Sequence, residues 1–150
     1  MTTFKSHRFP VSIEWRGGRL TEATVAGKPE LEVATPPEFK GGIEGVWSPE
    51  DLLVAATASC YTVTLVAIAE RRAVPLHALT VRGTGFIERH DEGFGFVLIE
   101  LHATLETDED TIAAAEQAAR AAKDGCLVGM ALDTPVHLEL DVRSRAAVTV

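Results

Sequence analysis

The amino-acid sequence predicts an α+β fold in which one long central helix lies against antiparallel sheets, in the order βββ–α–ββ–α–β, as a single domain over residues 1–150. Three observations carry that expectation. Short alternating apolar runs separated by glycine turns fill the first third of the chain. A helix-compatible run opens at Ser48 and is stopped by Pro75. Two long alternating runs, joined by a turn, then precede a second helical stretch.

The elements follow in order. Phe9 to Trp15 alternates, with Phe9, Val11, Ile13 and Trp15 on one face. Gly17-Gly18 is a turn signal, Arg19 to Val25 a second strand, Gly27-Lys28 another turn and Leu31 to Thr35 a third strand. Pro36-Pro37 and Gly41-Gly42 mark a loop running to about Trp47. Ser48-Pro49-Glu50-Asp51 is a helix start: Ser48 can cap the first free N–H groups, Pro49 suits the first helical position and Asp51 can close a capping box. The helix is expected to reach about Arg72, roughly 24 residues and on the order of 36 Å. Its waist (Ala55, Ala56, Ala58, Cys60) is small or apolar on most sides. A helix of that kind has to be covered on most sides, one small sheet cannot do it, and a second chain is therefore expected. Thr57, Ser59, Thr62 and Thr64 interrupt the apolar run from Leu52 to Ala69, which argues against a membrane span. Leu79 to Glu88 and Phe94 to Leu105 are strands joined at His90-Asp91-Glu92-Gly93. Thr107-Asp108-Glu109-Asp110 opens a second helix that runs to Lys123, with Gly125 as its C-terminal stop. Val136 to Val142 is the last strand, and the tail from Arg143 is expected to fray.

Composition narrows the function classes. A net charge of -8 and a pI near 5.1 argue against a nucleic-acid partner and against anionic membranes, since both need a basic face. Met1 to Pro10 is too polar for a signal peptide, so a cytoplasmic location is expected. Two cysteines are too few for a disulfide scaffold, and with no CxxC pair and no ligand-spaced histidines, no metal or other cofactor is expected. His77, His90, His102 and His137 are scattered over strand positions, and Gly83-Thr84-Gly85 has no phosphate-loop context.

On count alone the two cysteines are either inert core residues or redox-active ones. Cys60, mid-helix, gains nothing from a helix dipole and would need another group to lower its pKa. A guanidinium from Arg16 or Arg19, which flank the Gly17-Gly18 turn, is a natural choice. Glu50 precedes Cys60 by ten residues, about 15 Å of rise along one helix, so the two cannot touch within a chain. Two copies of the helix packed antiparallel near Ala55 would bring Glu50 of one to Cys60 of the other. Cys126 follows Gly125 at a helix end, where a chain has the freedom a resolving thiol needs, although LVGMAL equally suits a small core residue.

SPEDLLVAATASCYTVTL (Ser48 to Leu65) resembles the central-helix motif of the OsmC/Ohr family of thiol peroxidases. GGR at Gly17 to Arg19 resembles that family's arginine-bearing turn, and AAKDGCLVGMAL its second-cysteine segment. The resemblance implies an intertwined homodimer with active sites at the subunit interface. It implies that Cys60 attacks an organic hydroperoxide and that Cys126 resolves the sulfenic acid as an intrachain disulfide. Arg19 and Glu50 would hold each other and the thiolate, and a dithiol, a lipoyl group among the candidates, would re-reduce the enzyme. Two positions depart from the better-studied branches: Leu127 stands where they carry proline, and Tyr61 where they carry phenylalanine. Two other readings compete. A hot-dog acyl-thioester hydrolase would use Glu50 and need no cysteine pair, and a non-catalytic redox-sensing or ligand-binding module would form the disulfide without turnover.

Overall fold

A computed structural model describes residues 4–145. The backbone separates into two compact units, the first ending at Leu52 and the second beginning at Leu53.

The first unit is a three-stranded antiparallel meander, β1 (Ser12–Gly17), β2 (Leu20–Thr24) and β3 (Leu31–Ala34). Gly17 and Gly18 make the β1–β2 turn with φ of 106° and 54°, values that residues with a Cβ rarely adopt. The first strand is shorter than its alternation suggests. Ser12 pairs with Thr24, the last residue of β2, so residues 9–11 have no strand left to pair with, and Pro10 has no N–H to offer. Phe9, Val11, Ile13 and Trp15 are all exposed. Beyond β3 the loop folds back: Ala34 donates its N–H to the Trp47 carbonyl at 2.8 Å.

The long helix is α1 (Pro49–Arg71), 23 residues. Its start is the capping box read from the sequence. Asp51 N–H donates to Ser48 Oγ at 3.0 Å, and Ser48 N–H donates to the Asp51 carboxylate at 2.9 Å. The hydroxyls that interrupt its apolar run are satisfied by the helix itself: Thr57, Thr62 and Thr64 donate to the carbonyls of Leu53, Ala58 and Cys60 at 2.8, 2.7 and 2.7 Å. Among the described residues it is the one helix long and apolar enough to cross a membrane, with a mean hydropathy of 2.0. Here its Tyr61, Leu65, Ile68 and Ala69 face lies in the core instead.

The second unit's sheet has the order β4–β5–β6, from β4 (Ala78–His90), β5 (Gly93–Thr107) and β6 (Val136–Ser144). β4 and β5 are antiparallel, but β6 lies parallel to β5, so the sheet is mixed where an antiparallel one was expected. The reason is connectivity. A helix crossover carries the chain back to the end from which β5 started, and the next strand then runs the same way. That crossover is a short 3₁₀ turn (Glu109–Thr111) and α2 (Ile112–Gly125). Alternate residues of β5 (Ile99, Leu101, Ala103, Leu105), the Tyr61 face of α1 and four alanines of α2 (Ala115, Ala118, Ala119, Ala122) form one buried cluster. Tyr61 is fully buried, and its hydroxyl donates to the Ala119 carbonyl at 3.1 Å, fastening α1 to α2.

Gly83 and Gly85 of β4 have a packing reason. A Cβ at either would stand 2.8 or 2.7 Å from a methyl of Val54, so bare backbone is what lets α1 approach the sheet. Two helix-end expectations are corrected. Thr107 does not cap α2. Its hydroxyl donates to the Pro75 carbonyl at 2.6 Å and also meets the Thr111 hydroxyl, leaving the 3₁₀ turn to lead into the helix. Gly125 is not a left-handed stop; it is the last residue of α2, and the helix ends because Cys126 turns extended, with φ -71° and ψ 108°. The last strand also passes Arg143: Ser144 pairs with Thr107, and Arg145 N–H donates to the Thr107 carbonyl. The remainder of the expected frayed tail, residues 146–150, lies outside the described residues.

Candidate active site

Cys60 lies halfway along α1 and is partly exposed; Cys126, 2% exposed, is a free thiol like Cys60. The extended turn after α2 sends Cys126 back onto α1. Its Sγ comes 3.9 Å from the Thr57 carbonyl, and its side chain lies near enough to that of Cys60 for each to shift the other's ionisation. The chain then coils into one short turn, α3 (Leu127–Met130), closed by Met130 N–H to the Cys126 carbonyl at 2.9 Å. The free N–H groups at the start of that turn face the sulfurs. Those of Val128 and Leu127 donate to Cys60, and those of Gly129 and Val128 to Cys126.

The two thiols are driven in opposite directions. Burial raises the pKa of Cys60. The Val128 N–H, the Cys126 side chain, the Thr64 hydroxyl and the Leu127 N–H together outweigh it, so Cys60 ionises below the ordinary thiol value. Burial also raises Cys126. The Gly129 N–H opposes this, but the neighbouring Cys60 sulfur raises it further, and Cys126 ends above the ordinary value. The one S–H proton of Cys126 makes a weak 3.9 Å contact to the Thr57 carbonyl, with which a thiolate at Cys60 would compete well. Thr64 likewise has one hydroxyl proton, divided between the Cys60 carbonyl at 2.7 Å and the sulfur.

Arg19 and Glu50 stand in the first unit. Arg16 is committed elsewhere: it forms ion pairs with Glu14, at 3.0 Å, and with Glu22. Arg19 is exposed and carries no ion pair among the described residues. Its stem lies over Gly41, where a Cβ would stand 3.0 Å from Arg19 Cγ; Gly41 itself has φ of 80°. Glu50 is the second residue of α1, and its Oε2 is buried with no hydrogen-bond partner among the described residues. A buried carboxylate oxygen without a donor is costly, so Glu50 presents an unmet demand for one. Among the described residues no ion pair joins Arg19 to Glu50.

Of the four residues singled out in the sequence, then, Cys60 and Cys126 meet in the second unit, while Arg19 and Glu50 lie in the first. The donors to Cys60 are largely groups that were not singled out. Thr64, one helical turn beyond Cys60, was legible from spacing. The Leu127 and Val128 donors are backbone, and no side-chain pattern announces them. Proline at position 127 would supply no N–H, so Leu127 adds a donor there. Among the described residues no three His, Cys, Asp or Glu side chains gather where they could hold a metal ion.

The model for the OsmC-like protein family matches residues 42–141. YmaD of Bacillus subtilis, a protein described as uncharacterised, is 26% identical over 140 residues, spanning 90% of this chain and 93% of that one. Among solved structures, an OsmC-like protein of unknown function from Vibrio cholerae superposes with a TM-score of 0.81 at 16% identity, over 90% of this chain and 99% of that one. An organic hydroperoxide resistance protein from Elizabethkingia anophelis gives 0.76 at 23% identity, over 95% and 100%. OhrB of Bacillus subtilis, also an organic hydroperoxide resistance protein, gives 0.65 at 20% identity, over 91% and 98%.

Proposed function

Because the chain belongs to the OsmC-like protein family, we propose that it is a cysteine-based thiol peroxidase that reduces organic hydroperoxides to alcohols. One observation carries the reading: the end of α2 returns Cys126 to the stretch of α1 that bears Cys60, and the two sulfurs act on each other, the pKa of the first being lowered and that of the second raised. In a purely structural pair, buried apolar surroundings would raise both.

The chemistry follows from that asymmetry. Cys60, as thiolate, attacks the distal oxygen of the hydroperoxide; the O–O bond breaks and the alkoxide leaves as an alcohol after taking up a proton. Cys60 is then a sulfenic acid. Cys126 attacks its sulfur, water leaves and an intrachain disulfide remains. A dithiol returns the pair to thiols by exchange. Cys126 thus serves twice, as a neighbour that favours ionisation of Cys60 and as the resolving thiol.

Arg19 and Glu50 complete the proposal. Among the described residues Arg19 has no acidic partner and Glu50 Oε2 no donor, so each supplies what the other lacks, and a guanidinium held by Glu50 would orient the peroxide over Cys60. The face of α1 that the core leaves bare (Ala56, Ser59, Val63, Val66, Ala67) suits a second copy of the helix. The enzyme is accordingly proposed as a cytoplasmic homodimer with a site shared between subunits. A hot-dog hydrolase is not favoured. It calls for an antiparallel sheet around the helix, whereas β6 runs parallel to β5, and the family match is to a different group.

The test is mass spectrometry after one equivalent of cumene hydroperoxide. A Cys60–Cys126 disulfide, with the hydroperoxide consumed and Cys60→Ser inert, is the expected result. Two intact thiols beside unconsumed hydroperoxide would end the proposal.

A further inference from the structure

We infer that Tyr61 is a positioning residue for the resolving thiol: its hydroxyl holds α2 in one register against α1 and so keeps Cys126 within reach of Cys60. The inference rests on the peroxidase reading above, whose disulfide-closing step it serves.

The α2 side chains in the core, Ala115, Ala118, Ala119 and Ala122, each end in a single methyl. Such a row makes shallow ridges, which pack closely but interlock little and leave a helix free to shift along its neighbour. A directional contact is needed to fix the register. Among the described residues, the Tyr61 hydroxyl makes the one side-chain hydrogen bond between α1 and α2, to the Ala119 carbonyl at 3.1 Å. Tyr61 is fully buried. Burial, opposed by Arg120 and reinforced by Cys126, raises its pKa, so the phenol keeps its proton and stays a donor.

The path from this bond to Cys126 is short. In a regular α-helix the Ala119 carbonyl also accepts the Lys123 N–H. The Lys123 carbonyl in turn accepts the Cys126 N–H at 3.4 Å. The carbonyl that Tyr61 holds is therefore linked along the helix to the residue whose sulfur must reach Cys60. Tyr61 itself follows Cys60 in α1, and its ring lines the same cleft as Cys126. A phenylalanine at position 61 would fill nearly the same volume and leave α2 untied.

The step served is closure of the disulfide. The Cys126 sulfur attacks the sulfenic sulfur of Cys60. The S–S bond forms as the S–O bond breaks, and the hydroxide leaves with the Cys126 proton as water. The hydroperoxide delivered the oxidising equivalents in the step before, so nothing further is consumed. No atom of Tyr61 enters the reaction. Its hydroxyl narrows the positions that the Cys126 sulfur samples, which raises the effective concentration of one thiol at the other.

Tyr61→Phe keeps the ring and leaves the Ala119 carbonyl to Lys123, so the core is retained. The full-length parental protein and the variant are equilibrated without oxygen in buffers of 2-mercaptoethanol and its disulfide. Mass spectrometry of the Cys60–Cys126 disulfide fraction then gives the effective concentration of the pair. It is expected to be about threefold to tenfold lower in Tyr61→Phe, the size of one net hydrogen bond. Ile68→Val loosens the same core with the tie intact, and should leave the value at the parental level. A role in fold stability alone acts on the reduced and oxidised forms alike. An unchanged value in Tyr61→Phe, or an equal fall in both variants, would therefore overturn the inference. With one equivalent of cumene hydroperoxide and dimedone present, Tyr61→Phe is expected to consume the hydroperoxide at the parental rate. It should carry a larger share of dimedone on Cys60, because the sulfenic acid waits longer for Cys126; an equal share overturns the inference. The buffer equilibrium needs no hydroperoxide, so its failure is separate from a failure of the peroxidase reading, which would appear as unconsumed hydroperoxide with the parental protein.

Discussion

The ionisation of Cys60 is set by four donors, and only one of them is a cysteine. That division can be measured. Cys126→Ala removes one side-chain donor and leaves the Thr64 hydroxyl and the Val128 and Leu127 N–H groups in place. The pH at which Cys60 becomes reactive, read from iodoacetamide alkylation rates, should move up toward the ordinary thiol value. An unmoved midpoint would mean that Thr64 and the backbone of α3 carry the whole effect. At this scale the sequence was half informative. Cys60 and Thr64 are four residues apart on one helix, so their meeting follows from helical periodicity. The choice between Arg16 and Arg19 was not legible, because it depends on cross-strand register. Glu14 pairs directly with Glu22, and Arg16 meets both carboxylates. Backbone donors have no residue signature at all.

Elements were read best where their determinants are local. Ser48 and Asp51 are three residues apart, and the reciprocal hydrogen bonds they make are those their spacing suggests. The ends of α2 were misread because they answer to distant partners: Thr107 is drawn to Pro75, 32 residues away. The glycines of β4 show the same division. Their composition suggested nothing, yet they set how closely α1 approaches the sheet. Gly83→Ala should therefore destabilise the protein by about 1–3 kcal/mol, since the new Cβ meets a Val54 methyl held by a stiff χ1. Val54→Ala in the same chain should restore part of the loss. Thermal denaturation of the two single variants and the double variant measures the coupling, and strictly additive losses would contradict this account.

For the whole molecule, the expectation of a second chain came from the helix that looked too apolar for one sheet. The structure locates the bare surface within that helix. Val63 is 64% exposed and Val66 38%, on the side away from Tyr61 and Leu65. If a second copy of α1 covers this side, Val63→Glu places a carboxylate in that interface without a partner, at a cost of several kcal/mol. Sedimentation should then show the parental protein as a dimer and the variant as a monomer. Hydroperoxide turnover should be lost with the dimer if the site is shared. A monomeric parental protein that remains fully active would remove both the dimer and the shared site.

The opposed cysteines have an electrochemical consequence. Between the pKa of Cys60 and that of Cys126 the reduced pair retains a single proton, so closing the disulfide releases two electrons but only one proton. The midpoint potential should then fall by about 30 mV per pH unit in that interval. Below the Cys60 ionisation, where both sulfurs are protonated, the slope should steepen to about 59 mV. Redox titrations in glutathione buffers across pH would show the bend, and its position would give the acidity of Cys60 from equilibrium measurements alone.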